Sequence, residues 1–311
     1  MSAMSTRDAY GNTLLKLGHE ERDIVVVDAD LSASTKTNKF AGEFPDRFFN
    51  VGCAEQNLIG TAAGLAIAGK IVFASTYAMF SSRAWEQIRN TLSHDNLNVK
   101  IAASHSGLTN APDGASHQSL EDIAIMRLIP NMCVFNPADA IETEKIIINE
   151  AHRKGPSYIR LNRISTPIIY TDNYEFKIGK SVEIRYGEDV TIIATGTMVV
   201  EALKASETLE NEKISARVIN IPTIKPLEKE EIIKAAKDTG HIITVEEHSI
   251  YGGLGGAIAE IIVENYPIPM KIMGVTDRFG ESGEYPHLLS KFGLTARNIV
   301  NNTIQLIGEK R

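Results

Sequence analysis

The sequence contains little cysteine and no long apolar run. Only Cys53 and Cys133 occur among its 311 residues, 80 positions apart, which excludes a disulfide framework and a Cys-x-x-Cys metal or redox pair. No stretch approaches the ~20 consecutive apolar residues that a membrane-spanning helix needs. The first residues also lack the charged-then-apolar pattern of a secretory signal. We therefore expect a cytoplasmic protein with no membrane partner.

The sequence also has no cluster of basic residues. It carries 32 lysines and arginines against 39 aspartates and glutamates, for a formal net charge of −7. A nucleic-acid partner requires a basic surface that neutralises phosphates, so the composition argues against nucleic acid as a ligand. An anionic small molecule held by a local pair of arginines remains compatible with it.

What the sequence does contain is a regular alternation of strand and helix patterns, typical of parallel sheets with crossover helices. The predicted strands are residues 24–28, 47–51, 71–75, 99–104, 132–135, 157–161, 189–194, 214–221, 241–246 and 270–275. The length of 311 residues favours two domains, because single cores stop growing near ~250 residues. We predict an α/β protein with two mostly parallel sheets flanked by helices. The predicted domains are residues 1–167 and 187–311, joined by a polar, irregular linker at 168–186.

Several helix positions are predicted from capping signals and apolar periodicity. The first helix is predicted to end at Gly18, because glycine favours a left-handed cap. Another is predicted to begin at Asp139, because Glu142 follows three residues later in a capping-box arrangement. In the second half, the predicted helices are residues 197–209, 228–238, 254–265 and 295–307.

The densest polar segment, Ser104–Gln118, follows a predicted strand. Ligands bind at the carboxyl ends of parallel strands, and His105, Asp113 and His117 can supply proton transfer and hydrogen bonds near neutral pH. A solvated turn rich in Asn, Asp and Gly is the alternative. Fifteen residues with Leu108 as the apolar anchor are long for a mere connector, which favours a functional loop.

A second candidate segment places Glu55 in the first turn of a predicted helix, again after a strand. The alternative is that a carboxylate at this position only complements the helix dipole. Gly60 and Gly64 lie one turn apart on the same helix, which predicts the close approach of a neighbouring helix.

A third segment carries Tyr77 and Phe80 directly after the predicted strand 71–75. These two rings can form an aromatic wall for a flat ligand, or they can pack in the ordinary core. Spacing leaves both interpretations open.

Two glycine-rich segments in the second half are weaker candidates. Glycines at positions 252, 253, 255 and 256 suggest a phosphate-binding turn. They lack the third glycine of G-x-G-x-x-G and a P-loop lysine, so tight strand-to-helix packing is favoured. Residues 277–283, Asp-Arg-Phe-Gly-Glu-Ser-Gly, are interpreted as a turn stabilised by ion pairs.

Taken together, the segments that follow the predicted strands resemble one family, the transketolases. Residues 113–118, Asp-Gly-Ala-Ser-His-Gln, are similar to that family's Asp-Gly-Pro-Thr-His-Gln, and His105 precedes them by the family's spacing. Residues 29–34, Ala-Asp-Leu-Ser-Ala-Ser, resemble its Ala-Asp-Leu-Thr-Pro-Ser, and residues 161–163, Leu-Asn-Arg, resemble its Leu-Ser-Arg. Glu55 stands where the family has its cofactor-activating glutamate.

The resemblance implies a site for the aminopyrimidine ring of thiamine diphosphate. Glu55 would hydrogen-bond a ring nitrogen and drive the tautomerisation that lets the cofactor lose its thiazolium proton, while the cofactor carries the carbanion chemistry. Tyr77 and Phe80 would stack on the ring, and Arg83 stands at a third position that is usually aromatic. The residues implied to contact the cofactor are Glu55, Tyr77, Phe80, Arg83, Leu31 and Asp30.

By the same resemblance, a two-carbon ketol unit would move from a ketose phosphate to an aldose phosphate. Asp113 and His105 would contact sugar hydroxyls, and His117 would face the cofactor amino group and the reacting carbonyl. Arg163 and Ser34 would hold the sugar phosphate, since a planar guanidinium matches phosphate oxygens.

The family's diphosphate site is missing from this sequence. Full transketolases hold the diphosphate through Mg²⁺ or Ca²⁺ at a Gly-Asp-Gly segment with a downstream Asn, and no Gly-Asp-Gly occurs here. Two phosphates and a cation need ligands, so the resemblance implies the C-terminal subunit of a split transketolase whose N-terminal partner subunit supplies them. We expect a shared cofactor and an α2β2 assembly, in the pentose phosphate pathway or a more specialised sugar conversion.

Three alternatives share part of this pattern. The β subunit of a 2-oxo acid dehydrogenase has a similar layout but lacks the Asp113-Gly114 and His105 features. Deoxyxylulose phosphate synthase shares Asp-Gly-x-x-His-Gln and often the arginine at Arg83, but it normally lacks a histidine matching His105. A non-catalytic scaffolding subunit is disfavoured by Glu55.

Overall fold

The computed structural model describes residues 2–308. Its strands are β1 (Ala3–Met4), β2 (Ile24–Asp28), β3 (Phe48–Asn50), β4 (Ile71–Tyr77), β5 (Val99–Ser104), β6 (Cys133–Phe135), β7 (Ser157–Arg160), β8 (Thr166–Pro167), β9 (Val182–Arg185), β10 (Val190–Ala194), β11 (Ala216–Asn220), β12 (Thr223–Lys225), β13 (Ile242–Ser249) and β14 (Met270–Val275). Its helices are α1 (Thr6–Glu20), α2 (Ser32–Thr35), α3 (Asn38–Glu43), α4 (Glu55–Ile67), α5 (Ala78–Ser81), α6 (Trp85–Gln87), α7 (Asp122–Arg127), α8 (Ala140–His152), α9 (Met198–Asn211), α10 (Lys229–Thr239), α11 (Leu254–Asn265), α12 (Tyr285–Lys291) and α13 (Ala296–Gly308). Short 3-10 turns and a π-helical turn at Ile88–Ser93 connect some of them. Within this described range, no helix has the length and apolarity to cross a bilayer.

The larger sheet has seven strands in the order β12-β6-β7-β5-β4-β2-β3. Every neighbouring pair is parallel except β12 with β6. The predicted parallel sheet is confirmed, and its strands are apolar because helices cover both faces. The sequence did not reveal β12, since three residues carry no periodic signal. This strand comes from the second half of the chain, so both halves contribute to one sheet.

The smaller sheet has five strands in the order β14-β13-β10-β11-β9. All pairs are parallel except β9, which runs antiparallel to β11 at the edge. β9 lies inside the segment predicted to be an irregular linker, so that description is wrong for Val182–Arg185. Its residues are exposed or only half-buried, and an edge strand of this kind lacks the apolar run by which the central strands were recognised.

The end of α1 differs from its prediction. The helix continues past Gly18 to Glu20, so Gly18 is not a left-handed cap. Its missing side chain instead admits the rings of Phe40 and Phe44, which a methyl group there would overlap. Arg47 satisfies the carbonyl oxygens at the helix end by donating to Gly18 and Glu21 at 2.6 and 3.0 Å.

The start of α8 is as predicted, and it anchors the segment between the halves. The Asp139 carboxylate accepts from the Glu142 backbone N–H at 2.8 Å and from the N–H groups of Ile169 and Tyr170. The Glu142 carboxylate is buried and accepts from Asn220 of β11 at 2.9 and 3.0 Å. Burial raises the pKa of Glu142 to about 7. A hydrogen-bonded network therefore joins the two halves behind the larger sheet.

The carboxyl ends of the central strands lie side by side. Asp28 of β2 is in register with Asn50 of β3 and Ser75 of β4. Tyr77 of β4 is in register with Ser104 of β5. Because these strands are parallel, the loops that follow them meet at one edge, where an open α/β sheet binds ligands.

Candidate active site

Glu55 is the first residue of α4 and lies at this edge. Glu55 is 6% exposed, so it differs from a surface carboxylate that only complements a helix dipole. Its carboxylate forms an ion pair with Arg83 Nε at 3.4 Å, and the Arg83 side chain is 73% exposed. This distance exceeds that of a good hydrogen bond, so the contact leaves the carboxylate oxygens free to accept from a ligand.

Four rings form a cluster that includes Phe80, three residues before the Arg83 that pairs with Glu55. Tyr77 stacks on His105 with ring centroids 3.8 Å apart and on Phe80 at 5.4 Å, with interplanar angles of 20° and 11°. His117 meets the Phe80 ring edge-on at 5.2 Å. Arg83 lies one turn beyond Phe80 and pairs with Glu55 instead of adding a third ring. Tyr77 is buried, whereas Phe80 is only half-buried.

His105 is held in a single orientation. It is 1% exposed and has a φ of 59°, a left-handed conformation that is uncommon for a residue with a side chain. Its Nε2 lies 2.9 Å from Arg7 Nη1 and its Nδ1 lies 2.9 Å from Ser104 Oγ. Because a guanidinium only donates, Nε2 accepts and Nδ1 carries the proton. Burial and then the Arg7 charge lower the pKa of His105 to about 3.

Asp113 and Arg163 form an ion pair, with 3.3 Å between Arg163 Nη1 and Asp113 Oδ2. Arg163 Nη1 donates to Asn110 Oδ1 at 2.8 Å and to Asp113 Oδ2 at 3.3 Å. The backbone N–H of Arg163 donates to Thr109 Oγ1 at 3.3 Å. Both charged side chains are partly exposed, so their polar atoms are accessible to a small polar ligand.

The loop after β2 carries the three remaining predicted residues. The buried Asp28 carboxylate accepts from the Leu31 N–H at 2.6 Å and thereby fixes the turn. Asp30 has a φ of 63° and accepts from Asn50 Nδ2 at 2.9 Å. Arg7 Nη1 donates to the Ser34 carbonyl oxygen at 3.1 Å, so this loop borders the His105 cluster.

Arg7 is the site residue that sequence reasoning missed. It lies in the first turn of α1, about 100 residues before His105, and adjoins Asp8 in a segment that reads as an ordinary helix start. Its side chain touches both His105 and Ser34. The pKa of Arg7 is lowered, chiefly by burial. No local pattern could have indicated this position, because only the tertiary fold brings α1 to the sheet edge.

The glycine-rich turn before α11 does not form a phosphate site. The buried Glu246 carboxylate accepts from the N–H groups of Leu254 and Gly255 at 2.7 and 2.8 Å, which occupies the donors that a phosphate would use. A methyl group on Gly253 would overlap Glu246, and one on Gly255 would overlap Ile272. These contacts support the packing interpretation.

Known proteins share both halves of this chain. Residues 2–168 match the model of the transketolase pyrimidine binding domain, and residues 179–299 match that of the transketolase C-terminal domain. A protein of Methanocaldococcus jannaschii, provisionally named a transketolase C-terminal section, is 53% identical over 304 residues, covering 96% of this chain and 95% of its own. A 6-deoxy-6-sulfo-D-fructose transketolase subunit of a Clostridium species is 43% identical, covering 94% and 92%.

A solved structure described as a split gene transketolase, inactive beta4 tetramer, superimposes with a TM-score of 0.93 at 50% identity. The match covers 99% of this chain and 100% of that one. This chain also matches animal transketolases and transketolase-like proteins, which are longer. It spans 47 to 50% of their length. By its two domain matches and by these relatives, the chain belongs to the transketolase family.

Proposed function

We propose that this chain is the C-terminal subunit of a split, thiamine diphosphate-dependent transketolase. The observation that carries the proposal is a buried carboxylate, Glu55, whose partner Arg83 lies three residues after Phe80 of the ring stack. In this proposal the enzyme moves a two-carbon ketol unit between a ketose phosphate and an aldose phosphate in the cytoplasm.

The residues present fit the aminopyrimidine end of the cofactor. Glu55 is buried beside a weak partner, Arg83, and a ring nitrogen would supply the donor that this carboxylate lacks. Tyr77 and Phe80 are stacked with nearly parallel planes, and Phe80 is half-buried, so this stack could be extended by a flat heteroaromatic ring. Leu31 and Asp30, on the loop after β2, would border it. When bound, the cofactor supplies a stabilised carbanion centre.

In this proposal Glu55 holds a proton at the ring nitrogen, and His117 faces the reacting carbonyl. His105 is neutral at ordinary pH because its pKa is about 3. It therefore acts as a hydrogen-bonding group toward a sugar hydroxyl rather than as a cation. Asp113, which is exposed, would accept from a second hydroxyl.

Two guanidiniums would bind the anionic end of the sugar. Arg163 is partly exposed beside Asp113, and Arg7 donates to the Ser34 carbonyl oxygen. A planar guanidinium matches the oxygens of a phosphate. The Clostridium relative is named for a sulfonated sugar, another tetrahedral anion that this pair would accept.

The diphosphate and its metal would be held by a separate N-terminal subunit. No group of three or more potential metal-binding side chains occurs among residues 2–308, and the chain has no Gly-Asp-Gly. Within residues 2–308, Gly60 and Gly64 do not pack against another helix, since no described atom lies within 4 Å of the position of an added Cβ. An exposed stripe of small residues beside Glu55 suits a closely packed second chain in an α2β2 assembly.

The test is the substitution Glu55→Gln in the complex reconstituted with the N-terminal subunit. Removing the proton relay is expected to lower ketol transfer by more than ~10²-fold. Glu207→Gln, a matched change at an exposed position, is the control and should leave the rate unchanged. Full activity in Glu55→Gln would contradict the catalytic role and favour a scaffolding subunit.

A further inference from the structure

The second half of the chain makes two contacts with the loop 104–118, which carries His105, Asp113 and His117. The first contact is made by Glu247 of β13, which is fully buried. One of its carboxylate oxygens accepts from the Thr109 N–H at 2.8 Å. The other accepts from Thr197 Oγ1 at 2.7 Å and from the Tyr285 hydroxyl at 2.6 Å. Burial raises the pKa of Glu247.

The first contact is close enough to constrain the loop backbone. A methyl group on Gly107 would lie 2.5 Å from Glu247 Oε1 and 2.9 Å from the Glu247 carbonyl oxygen. Gly107 also has a φ of 60°. Both the left-handed backbone and the short approach require glycine here, two residues after His105.

The second contact is made by residues 277–283, the segment after β14. Gln118 Nε2 donates to the Glu281 carbonyl oxygen at 3.0 Å, and the Gly283 N–H donates to the Ala111 carbonyl oxygen at 3.1 Å. A methyl group on Gly280 would overlap the Gln118 side-chain oxygen. Gly280 does not have a positive φ, so close approach rather than backbone conformation explains the glycine.

These two contacts hold the loop on either side of Asp113 and His117. We infer that the second domain is a positioning device for this loop, in which Glu247, Gly280 and Gln118 are positioning residues. Gln118 directly follows His117, so any displacement of its side chain moves the histidine. The catalytic consequence of this inference rests on the proposed function, whereas the positional consequence does not.

The test is a double-mutant cycle of Gly280→Ala and Gln118→Ala in the full chain. Gly280→Ala alone is expected to displace Gln118 and His117, because its methyl group has no room. A misplacement of about 1 Å can lower kcat on the order of 10²-fold. In the Gln118→Ala background the obstructing amide is gone, so adding Gly280→Ala should have no further effect. The two changes would therefore be strongly non-additive.

Two readouts separate this inference from the proposed function. Hydrogen exchange of peptides from 104–118 in the isolated chain should be at least about tenfold faster in Gly280→Ala, and ketol transfer in the reconstituted complex should lose kcat more than KM. Gly42→Ala is the control for both, because no atom of residues 2–308 lies within 4 Å of the position of its added methyl group. If the loop of the wild-type chain exchanges slowly but the reconstituted wild-type complex transfers no ketol group, the proposed function is contradicted while the positioning of the loop is supported.

Either of two results would overturn the inference. The first is an exchange rate of the loop in Gly280→Ala that equals the wild-type rate. The second is an effect of Gly280→Ala on the exchange rate that is the same factor with Gln118 and with Ala at position 118. Glu247→Gln covers the case in which Gly280→Ala does not fold. It keeps the side-chain size at the first contact but replaces one accepting oxygen with an amide that donates. It should also speed loop exchange, and unchanged exchange in this variant would likewise contradict the inference.

Discussion

At the scale of single residues, the environment of His105 decides what that side chain can do. Its ring is buried, stacked on Tyr77 and flanked by Arg7. A charged imidazole in this position would be poorly solvated and would face a guanidinium, so the neutral form is favoured. The ring nitrogens therefore differ in role, with Nδ1 donating to Ser104 and Nε2 able to accept from a ligand if Arg7 turns away.

Arg7→Gln is predicted to raise the pKa of His105 from about 3 toward its ordinary value. Burial remains in this variant, so the rise is partial. Histidine-selective NMR titration of the full chain would measure it, with the exposed Arg22→Gln as the control. An unchanged His105 pKa would show that the Arg7 charge is unimportant there.

The same shift predicts how stability depends on pH. The pKa of His105 is depressed in the folded chain, so its contribution is complete above the unfolded value of ~6.5 and is lost as the pH falls toward about 3. Over this range the site contributes a slope of up to ~1.4 kcal/mol per pH unit. Arg7→Gln should narrow the pH range over which His105 affects the free energy of unfolding. Urea unfolding at several pH values would measure this free energy.

At the scale of secondary structure elements, the contact between α1 and α3 illustrates a glycine that serves packing. Gly18 lies inside α1, where glycine weakens a helix relative to alanine. The rings of Phe40 and Phe44 occupy the space beside it, and the Arg47 guanidinium lies 4.0 Å from the centre of the Phe44 ring. The cost in helix propensity is offset by this close packing.

Gly18→Ala is predicted to destabilise the chain by about 1–3 kcal/mol, because its methyl group overpacks the contact. Gly42→Ala is the matched control, since Gly42 also lies in a helix but has nothing within 4 Å. It should be neutral or stabilising by up to about 1 kcal/mol. Denaturant unfolding would compare the two, and equal effects would contradict the packing explanation.

At the scale of the whole molecule, the proposed function assigns to this chain one half of a cofactor site. The loops at the edge of the larger sheet provide a carboxylate, stacked rings and two arginines. These groups do not include residues that would hold a diphosphate and its cation. In the glycine-rich turn of the second half, the Glu246 carboxylate already accepts from the backbone N–H groups that a phosphate would use. In the proposed function, the complete binding site therefore includes a second chain.

The isolated chain is accordingly predicted to bind thiamine diphosphate weakly, with a Kd in the ~1 mM range or above. Contacts to the ring alone leave the phosphates and the cation in water. Titration calorimetry with and without Mg²⁺ would measure this, and adding the N-terminal subunit should tighten binding by orders of magnitude. Tight, Mg²⁺-dependent binding to the purified chain alone would contradict the shared site.

The sequence by itself determined the fold class, because buried parallel strands leave continuous apolar runs such as Ile24–Asp28 that mark their own positions. It also indicated the loops that carry Glu55, Tyr77 and His105, since each loop follows such a strand. Only the tertiary structure decided which side chains meet there. Arg7, Gly280 and Glu247 reach the loop from distant segments, and no local pattern records a contact between residues 98 or more positions apart. The edge strands β9 and β12 were not predicted for a related reason. A short strand is defined by its pairing with a neighbour and not by its composition.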